Sequence, residues 1–276
     1  MSNWKFALSS ADVAPLSSPI LLRGSIPENL QKAATLGYDA IEVHTREDVP
    51  LDLDAIYRAE DLTGTKICAI ITGRLNTEGQ CSLIDDRPYV VQAAMEGMNR
   101  YIKIAAVLHA DLVVGWVRGQ IPPNREQGRY LDRLARNLRC LAEAAGEQDV
   151  KVNLEVINRY EINTFNTADE TVSFLEKYQL ENCYVHLDTF HMMIDECDPS
   201  AAIRRCAGKL GYIHFADNSR RYPGSGQIVF SDILSALQEI GYEGYLSVEC
   251  FPHPSPEKAA IAAITHLKSV IRTLPV

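Results

Sequence analysis

A regular alternation of short apolar runs with longer helix-period segments constrains the fold of this chain more than any other feature. Runs rich in Val, Ile and Ala recur eight times, and a segment with helical spacing of apolar residues follows each. This alternation is typical of repeated βα units. The predicted strands are 5–9, 40–44, 66–72, 111–116, 150–156, 182–188, 211–216 and 244–250. The predicted helices are 27–37, 52–64, 86–108, 125–146, 167–178, 199–208, 230–240 and 255–273.

One domain accounts for this alternation better than two. The length of 276 residues is compatible with two domains, yet no linker rich in Pro or Gly divides the chain. Glycines at the predicted helix ends support the boundaries: Gly37, Gly64, Gly211 and Gly241. The sequence therefore predicts an α/β fold, a single (β/α)8 TIM barrel domain over residues 1–276, with an open parallel sheet as the alternative.

Composition excludes several classes of protein. Hydrophobic residues make up 46% of the chain, so it can bury a large core, and no apolar run reaches the length of a membrane span. The net charge of -9, without a basic stripe, argues against nucleic acid as a partner. The N-terminus lacks the order of a signal peptide, so we expect a cytoplasmic protein. The seven scattered cysteines indicate neither a disulfide framework nor a thiolate zinc site.

Polar residues interrupt the last four predicted strands at alternate positions. In a barrel, one parity of each strand faces the interior, and reactive groups gather at the C-terminal strand ends. The polar residues of that parity are Asn153, Glu155, His186, Asp188, Tyr212, His214, Ser247 and Glu249. The second of each pair lies near a strand end, and successive members are about one βα unit apart. We therefore expect Glu155, Asp188, His214 and Glu249 to converge on one site.

Three converging carboxylates need a cation, because they would otherwise repel one another in a dry interior. A set of carboxylates and one imidazole, without a thiolate, suits octahedral Mn²⁺, Co²⁺ or Mg²⁺ better than a structural zinc ion. The spacing alone does not separate metal ligands from acid/base groups. It predicts one divalent metal centre and requires no organic cofactor.

At these same residues the sequence resembles the D-tagatose/D-psicose 3-epimerase family of ketose 3-epimerases, within the xylose-isomerase-like TIM barrels. The matching motifs are LEVINRYE at 154–161, LDTFHM at 187–192, HFADNSRRYPGSG at 214–226 and SVEC at 247–250. The first half matches more loosely. There CAIITG at 68–73 and VVGWVRG at 113–119 are more similar to the branch that includes 5-keto-L-gluconate epimerase.

The resemblance implies roles for individual residues. It makes Glu155, Asp188, His214 and Glu249 the metal ligands, with Mn²⁺ the preferred ion, and makes Glu155 and Glu249 the acid/base pair as well. It further implies that substrate contacts come from Glu161, His191 and Arg220. The implied reaction inverts the carbon beside a ketose carbonyl by deprotonation and reprotonation through an enediolate.

Three guanidinium groups indicate the class of substrate. Arg118 follows the fourth strand, and Arg220 and Arg221 follow the seventh. An Arg near a strand end can bind a carboxylate with two parallel hydrogen bonds. We therefore expect Arg118 to contact substrate, and a keto-sugar acid such as 5-keto-L-gluconate to be preferred over a neutral ketose. Trp116, on the fourth strand, is predicted to belong to the barrel core.

Other functions remain open at this point. Aldose–ketose isomerisation could use the same metal and similar acids. A phosphodiester hydrolase like endonuclease IV is disfavoured by only seven histidines and the acidic charge. A sugar-binding protein without catalysis would not need the acid/base pair. The expected partner is a small-molecule sugar or keto-sugar acid, with no nucleic acid and no membrane, and a homo-oligomer, dimer or tetramer, is left open.

Overall fold

Eight parallel strands close into a barrel in the computed structural model, which describes residues 4–275. Each strand pairs with the next along the chain, and the last pairs with the first through Phe6 and Leu246. The ring therefore closes, and the predicted (β/α)8 barrel is confirmed over the open sheet. The strands are β1 Lys5–Ala11, β2 Ala40–His44, β3 Lys66–Ile71, β4 Asp111–Val114, β5 Val152–Glu155, β6 Cys183–Asp188, β7 Leu210–Phe215 and β8 Tyr245–Val248.

Helices surround the strand ring, and two short ones were not predicted. The helices are α1 Ile26–Thr35, α2 Leu53–Thr63, α3 Gly73–Thr77, α4 Pro88–Val107, α5 Gln127–Gly146, α6 Ala168–Lys177, α7 Thr189–Asp195, α8 Pro199–Arg205, α9 Phe230–Glu239 and α10 Pro256–Ile271. Short α3 and α7 directly follow strands. A two-residue strand, Leu22–Arg23, also pairs with the end of β1, and one 3₁₀ turn spans Trp116–Arg118.

Local chemistry explains several helix boundaries. Ser25 forms a capping box with Glu28, and Thr167 accepts a hydrogen bond from the Glu170 amide at the start of α6. The glycine prediction was correct at Gly64, which ends α2 in the left-handed region. It was wrong at Gly211, which lies inside β7. The glycine with positive φ after α8 is Gly208 instead.

Alternation along the strands divides the apolar core from a polar interior. Val152, Leu154, Val185 and Leu187 belong to the large apolar cluster that the strands form with the helices. The polar side chains of opposite parity point into the barrel and are buried there. Because barrel strands tilt and stagger, these side chains stack in layers along the axis. The layers nearest the C-terminal strand ends form the floor of the site described next.

Two further properties of the described chain bear on its class. None of the helices within residues 4–275 is long and apolar enough to cross a membrane. All seven cysteines are free thiols, and most of them are buried.

Candidate active site

Three carboxylates surround one nitrogen of His214 at the C-terminal end of the barrel. His214 Nδ1 lies 3.7 Å from Glu249 Oε2, 3.9 Å from Asp188 Oδ2 and 4.0 Å from Glu155 Oε1. Glu155, Asp188 and His214 lie in β5, β6 and β7, and Glu249 directly follows β8, so three successive βα steps separate the first residue from the last. The structure therefore brings together the four residues that the spacing predicts to converge.

The field inside this cluster favours positive charge. Burial, with the neighbouring carboxylates, raises the pKa of Glu155 to about 8, and burial likewise raises the pKa of Asp188 to about 6. Burial alone would lower the pKa of His214, but the carboxylates of Glu42 and Glu249 outweigh it and raise that pKa to about 10. These raised pKa values show that the cluster carries more negative charge than its buried surroundings tolerate. A cation bound there would relieve the repulsion among the carboxylates.

Glu42 on β2 supports His214 from below. Its Oε2 accepts hydrogen bonds from His214 Nε2 at 2.8 Å, Tyr212 Oη at 2.9 Å and Ser247 Oγ at 2.7 Å. Burial would raise the pKa of Glu42, but His214 holds it well below its ordinary value, so this carboxyl is ionised. Nε2 carries a proton, because an ionised carboxylate accepts there. Nδ1 faces the three carboxylates, and the raised pKa of His214 means that this nitrogen also holds a proton, which a metal ion bound there would displace.

The donor set fits a divalent metal ion. His214 Nδ1 and Asp188 Oδ2 are both buried, and neither has a hydrogen-bond partner among the residues that the structure describes. Ligand atoms of Asp188, His214 and Glu249 lie within 4.8 Å of one another. Buried polar atoms are almost always paired, so two unpaired atoms aimed at one point indicate a missing partner. Carboxylate oxygens with one imidazole suit Mn²⁺, Mg²⁺ or Co²⁺.

Three more predicted residues form one wall of the site. Arg220 Nη2 lies 2.6 Å from Glu249 Oε2, and its Nη1 lies 3.6 Å from Glu161 Oε1. His191 Nδ1 lies 2.7 Å from the Asn158 amide nitrogen, which also donates to Glu161 Oε1. Burial lowers the pKa of His191 well below its ordinary value, so the ring is neutral. Its Nε2 hydrogen is then free to bind a substrate oxygen.

Asp217, which the sequence did not single out, organises the loop that carries Arg220. Its buried carboxylate accepts backbone hydrogen bonds from Asn218, Gly224, Gly226 and Ile228. Arg220 itself has a φ of 55°, and its amide donates to the Asp217 carbonyl at 2.8 Å. The loop is thus tied to one buried side chain. This arrangement fixes where the guanidinium group can reach.

The cluster opens into a cavity of about 660 Å³ at the barrel mouth. Glu155, Glu161, His191, Arg220 and Glu249 all line it. The segment after β1, Trp116 and Phe251 also line it. The prediction that Trp116 belongs to the core was wrong. Strand β4 ends at Val114, and the 3₁₀ turn after Gly115 carries the indole out to the cavity, where it is 37% exposed.

Arg118 does not occupy the place predicted for it. The side chain is fully buried, and its guanidinium donates to Thr164 Oγ1, the Thr164 carbonyl and the Gly115 carbonyl. The same 3₁₀ turn that turns Trp116 outward turns Arg118 inward, against Phe165. Its donors therefore bind the protein, and it is absent from the described lining of the cavity. This geometry therefore does not support the predicted role of Arg118 in binding a substrate carboxylate.

Two residues of the site were missed although the sequence carried their signal. On β2, Ile41 and Val43 alternate with Glu42 and His44, the same pattern that identified the later strands. His44 lines the cavity, with its Nε2 at 3.5 Å from Glu249 Oε1 and 3.6 Å from Glu42 Oε1. Applying the alternation rule to all eight strands would have found both residues.

Comparisons with known proteins agree with this geometry. The family model for the xylose isomerase-like TIM barrel matches residues 30–270. An L-ribulose 3-epimerase of Mesorhizobium japonicum is 32% identical over 235 residues, which are 83% of this chain and 76% of the relative. A D-psicose 3-epimerase of Enterocloster bolteae is 29% identical over 80% of this chain and 75% of its own length. A solved L-ribulose 3-epimerase superposes with a TM-score of 0.84 at 26% identity, covering 98% of this chain and 96% of that one.

Proposed function

The chain belongs to the ketose 3-epimerases of the xylose isomerase-like TIM barrel family, and from this premise we propose that it inverts C3 of a ketose with a divalent metal and a pair of glutamates. The enzyme is a carbohydrate epimerase. One observation carries the finer proposal. Glu155, Asp188 and Glu249 converge on the unpaired Nδ1 of His214 at the floor of a cavity large enough for a sugar.

Glu155 and Glu249 are placed to move the proton. They belong to strands three βα units apart, and each has a carboxylate in the cavity wall. Inversion requires that one carboxylate take the C3 proton and that the other return a proton to the opposite face of the same carbon. The electron pair left at C3 passes to the carbonyl oxygen as an enediolate and returns on reprotonation. No oxidant is consumed, and either epimer can enter, because the two glutamates exchange roles.

The metal ligands in this proposal are Glu155, Asp188, His214 and Glu249, and Mn²⁺ is the preferred ion, with Co²⁺ or Mg²⁺ as substitutes. When bound, such an ion supplies Lewis-acid stabilisation of the negative charge that develops on the substrate oxygens. The neutral ring of His191 and the guanidinium of Arg220 lie beside the same floor. They are placed to hydrogen-bond the hydroxyl groups that orient C3.

A neutral sugar fits the cavity better than the keto-sugar acid expected from the sequence. Arg118 is buried, and Arg220 is already paired with Glu249. Arg74, which also lines the cavity, is paired with Asp12. The two arginines in the described lining of the cavity therefore already have anionic partners, and Arg221 is exposed outside that lining. An incoming carboxylate would also approach Glu161, whose charge repels it. We therefore propose hydroxyl groups, and not a carboxylate, as the main recognition elements of the substrate.

A substrate panel in D₂O tests the proposal. The EDTA-treated protein would be given free ketoses, ketose phosphates and ketouronates, with and without Mn²⁺ or Co²⁺, and products would be assigned by NMR. We expect C3 epimers of free ketoses that carry one solvent deuterium at C3, with no turnover until the metal is restored. Aldose products would show a C1–C2 isomerase instead. Absence of exchange into a bound ketose would show a binding protein, and full activity without metal would refute the metal centre.

A further inference from the structure

A second cavity adjoins the one above the carboxylate cluster. Its volume is about 670 Å³, and the two cavities share Trp116 and Glu161 in their walls. The remaining walls come from the segment that follows α3 and from the turn after Arg118. Each cavity alone is within the range of about 300–1,000 Å³ typical of a complete ligand site. A single ketose above the carboxylates would leave the second cavity unfilled.

The walls of this second cavity suit a neutral ligand rich in hydroxyl groups. Its described lining includes Ser82 and three residues with side-chain amides, Asn76, Gln80 and Gln120. The amide nitrogens of Asn76 and Gln120 donate to backbone carbonyls, which leaves their oxygens, with the Gln80 amide, for a ligand. The lining carries acidic residues and, within residues 4–275, no lysine, arginine or histidine. Amides can donate to and accept from hydroxyl groups and carboxylates can accept from them, whereas a phosphate or carboxylate ligand would find no cationic side chain in the described lining. The half-exposed Trp116 offers an aromatic surface at the junction.

The second cavity is held in place by contacts among the three segments that form its walls. The Leu83 amide donates to the Val117 carbonyl at 2.9 Å. Asn163 binds both backbone groups of Ile121, at 2.9 Å to its amide and 2.8 Å to its carbonyl. Gly119 has a φ of 89°, and a Cβ at this position would collide with Ser82 Oγ. The walls are therefore formed before any ligand arrives, which lowers the entropic cost of binding.

We propose that the second cavity binds a further sugar ring joined to the ketose, so that the preferred substrate contains a ketose within a disaccharide. This inference rests on the proposed epimerase function and specifies its substrate class. The ketose unit lies over the carboxylate cluster, the linkage passes Trp116 and Glu161, and the second ring meets Gln80 and Asn76. A ketose linked through O4 or O6 keeps C3 and its hydroxyl free for inversion.

The test compares the Mn²⁺-loaded enzyme on two disaccharides with its action on D-fructose. Maltulose carries glucose on O4 of fructose, and palatinose carries it on O6. We expect kcat/KM for at least one of them to exceed that for fructose by about tenfold or more, as two or more additional hydrogen bonds would give. In Gln80→Ala this ratio should fall about fivefold, the loss of one such bond. Gln148→Ala, an exposed amide beyond α5, serves as the matched control.

Calorimetry separates failure of this inference from failure of the epimerase proposal. If neither fructose nor the disaccharides are turned over, the epimerase proposal fails, but tighter binding of a disaccharide than of fructose, weakened in Gln80→Ala, still supports the second site. Equal binding and equal turnover of disaccharides and fructose would overturn it. It would also be overturned if Gln80→Ala changed the oligomeric mass in light scattering and left the substrate ratio unchanged, because another copy of the chain would then occupy the cavity.

Discussion

Two layers of polar side chains in the barrel differ in what they face. The inner layer centres on Glu42, fully buried, whose Oε2 accepts three hydrogen bonds from protein donors. The outer layer holds Glu155 and Glu249, whose carboxylates line the open cavity. His214 belongs to both layers, because Nε2 is bound from below and Nδ1 is left for the site. The inner layer thus fixes the orientation of His214, and the outer layer presents its carboxylates to the cavity.

Both layers arise from the same alternation. Tyr212 precedes His214 by two residues on β7, and Ser247 precedes Glu249 by two residues at β8. Each of these two strands thus supplies one residue to each layer, as the stagger of a barrel requires. Tyr212 and Ser247, the deeper residues, hydrogen-bond to Glu42, whereas Glu249 lines the cavity and His214 Nδ1 faces the carboxylates beneath it. Substitutions in the two layers should therefore differ in their effects on kcat and on Mn²⁺ affinity.

The largest effect is expected from the outer layer. Glu155→Gln and Glu249→Gln should each lower kcat for C3 inversion by about 100-fold or more, because an amide cannot exchange the proton. Activity would be followed by NMR at saturating Mn²⁺, with Mn²⁺ affinity measured separately. Glu147→Gln, at an exposed position just after α5, is the matched control. A single variant that keeps a near-normal rate would show that its residue is a ligand or a bystander only.

A smaller and different effect is expected from the inner layer. Glu42→Gln removes the charge that orients His214, so Mn²⁺ affinity measured by calorimetry should fall about tenfold, with kcat largely recovered at high Mn²⁺. Ser247→Ala removes another hydrogen bond to the same carboxylate without touching the imidazole. It should change Mn²⁺ affinity by about threefold or less. Equal losses of affinity in the two variants would mean that Glu42 only stabilises the fold.

The two layers also show which features of the fold and the site the sequence could predict. The period of two along the strands and the spacing of the βα units predicted the barrel, its register of polar residues and the convergence of the four cluster residues. These features depend on repeated geometry that every strand obeys. Glu42 and His44 obeyed it too, and they were missed because the rule was applied only to the later strands.

Residues outside the strands could not be predicted in this way. The sequence predicts a buried Trp116 and an Arg118 that reaches the substrate. The 3₁₀ turn at Trp116–Arg118 reverses this, because it exposes the tryptophan to the cavity and buries the arginine. Asp217 likewise gains its role only through amides that are up to eleven residues away in the chain. No periodicity links a loop to what it contacts. Such placements follow from tertiary packing, which sequence spacing does not encode.

The thermal stability of the metal-free protein should depend on pH, because Glu155 of the outer layer has a raised pKa. The pKa of Glu155 is raised from 4.5 to about 8, so the folded protein holds a proton that the unfolded chain releases within this range. The stabilisation is complete below pH 4.5 and is lost as the pH rises through 8. In EDTA, calorimetry should show a Tm lower by about 3 °C or more at pH 9 than at pH 5. Glu155→Gln should reduce this slope, and a Tm that rises with pH would contradict the assignment.

The smallest effect on substrate choice is expected at Arg118, which belongs to neither layer. Burial lowers its pKa to about 10, so it stays charged at neutral pH, and its hydrogen bonds go to Thr164 and Gly115. Arg118→Lys cannot reproduce the planar fork, and each buried carbonyl left unpaired costs about 1–3 kcal/mol. The Tm should therefore fall by several degrees. Because Arg118 does not itself line the described cavity and meets it only through the Gly115 carbonyl, kcat/KM for a ketouronate and for a neutral ketose should change by the same factor. A selective loss for the ketouronate would instead show that the 3₁₀ turn rearranges when substrate binds, and that the arginine turns outward to hold a carboxylate.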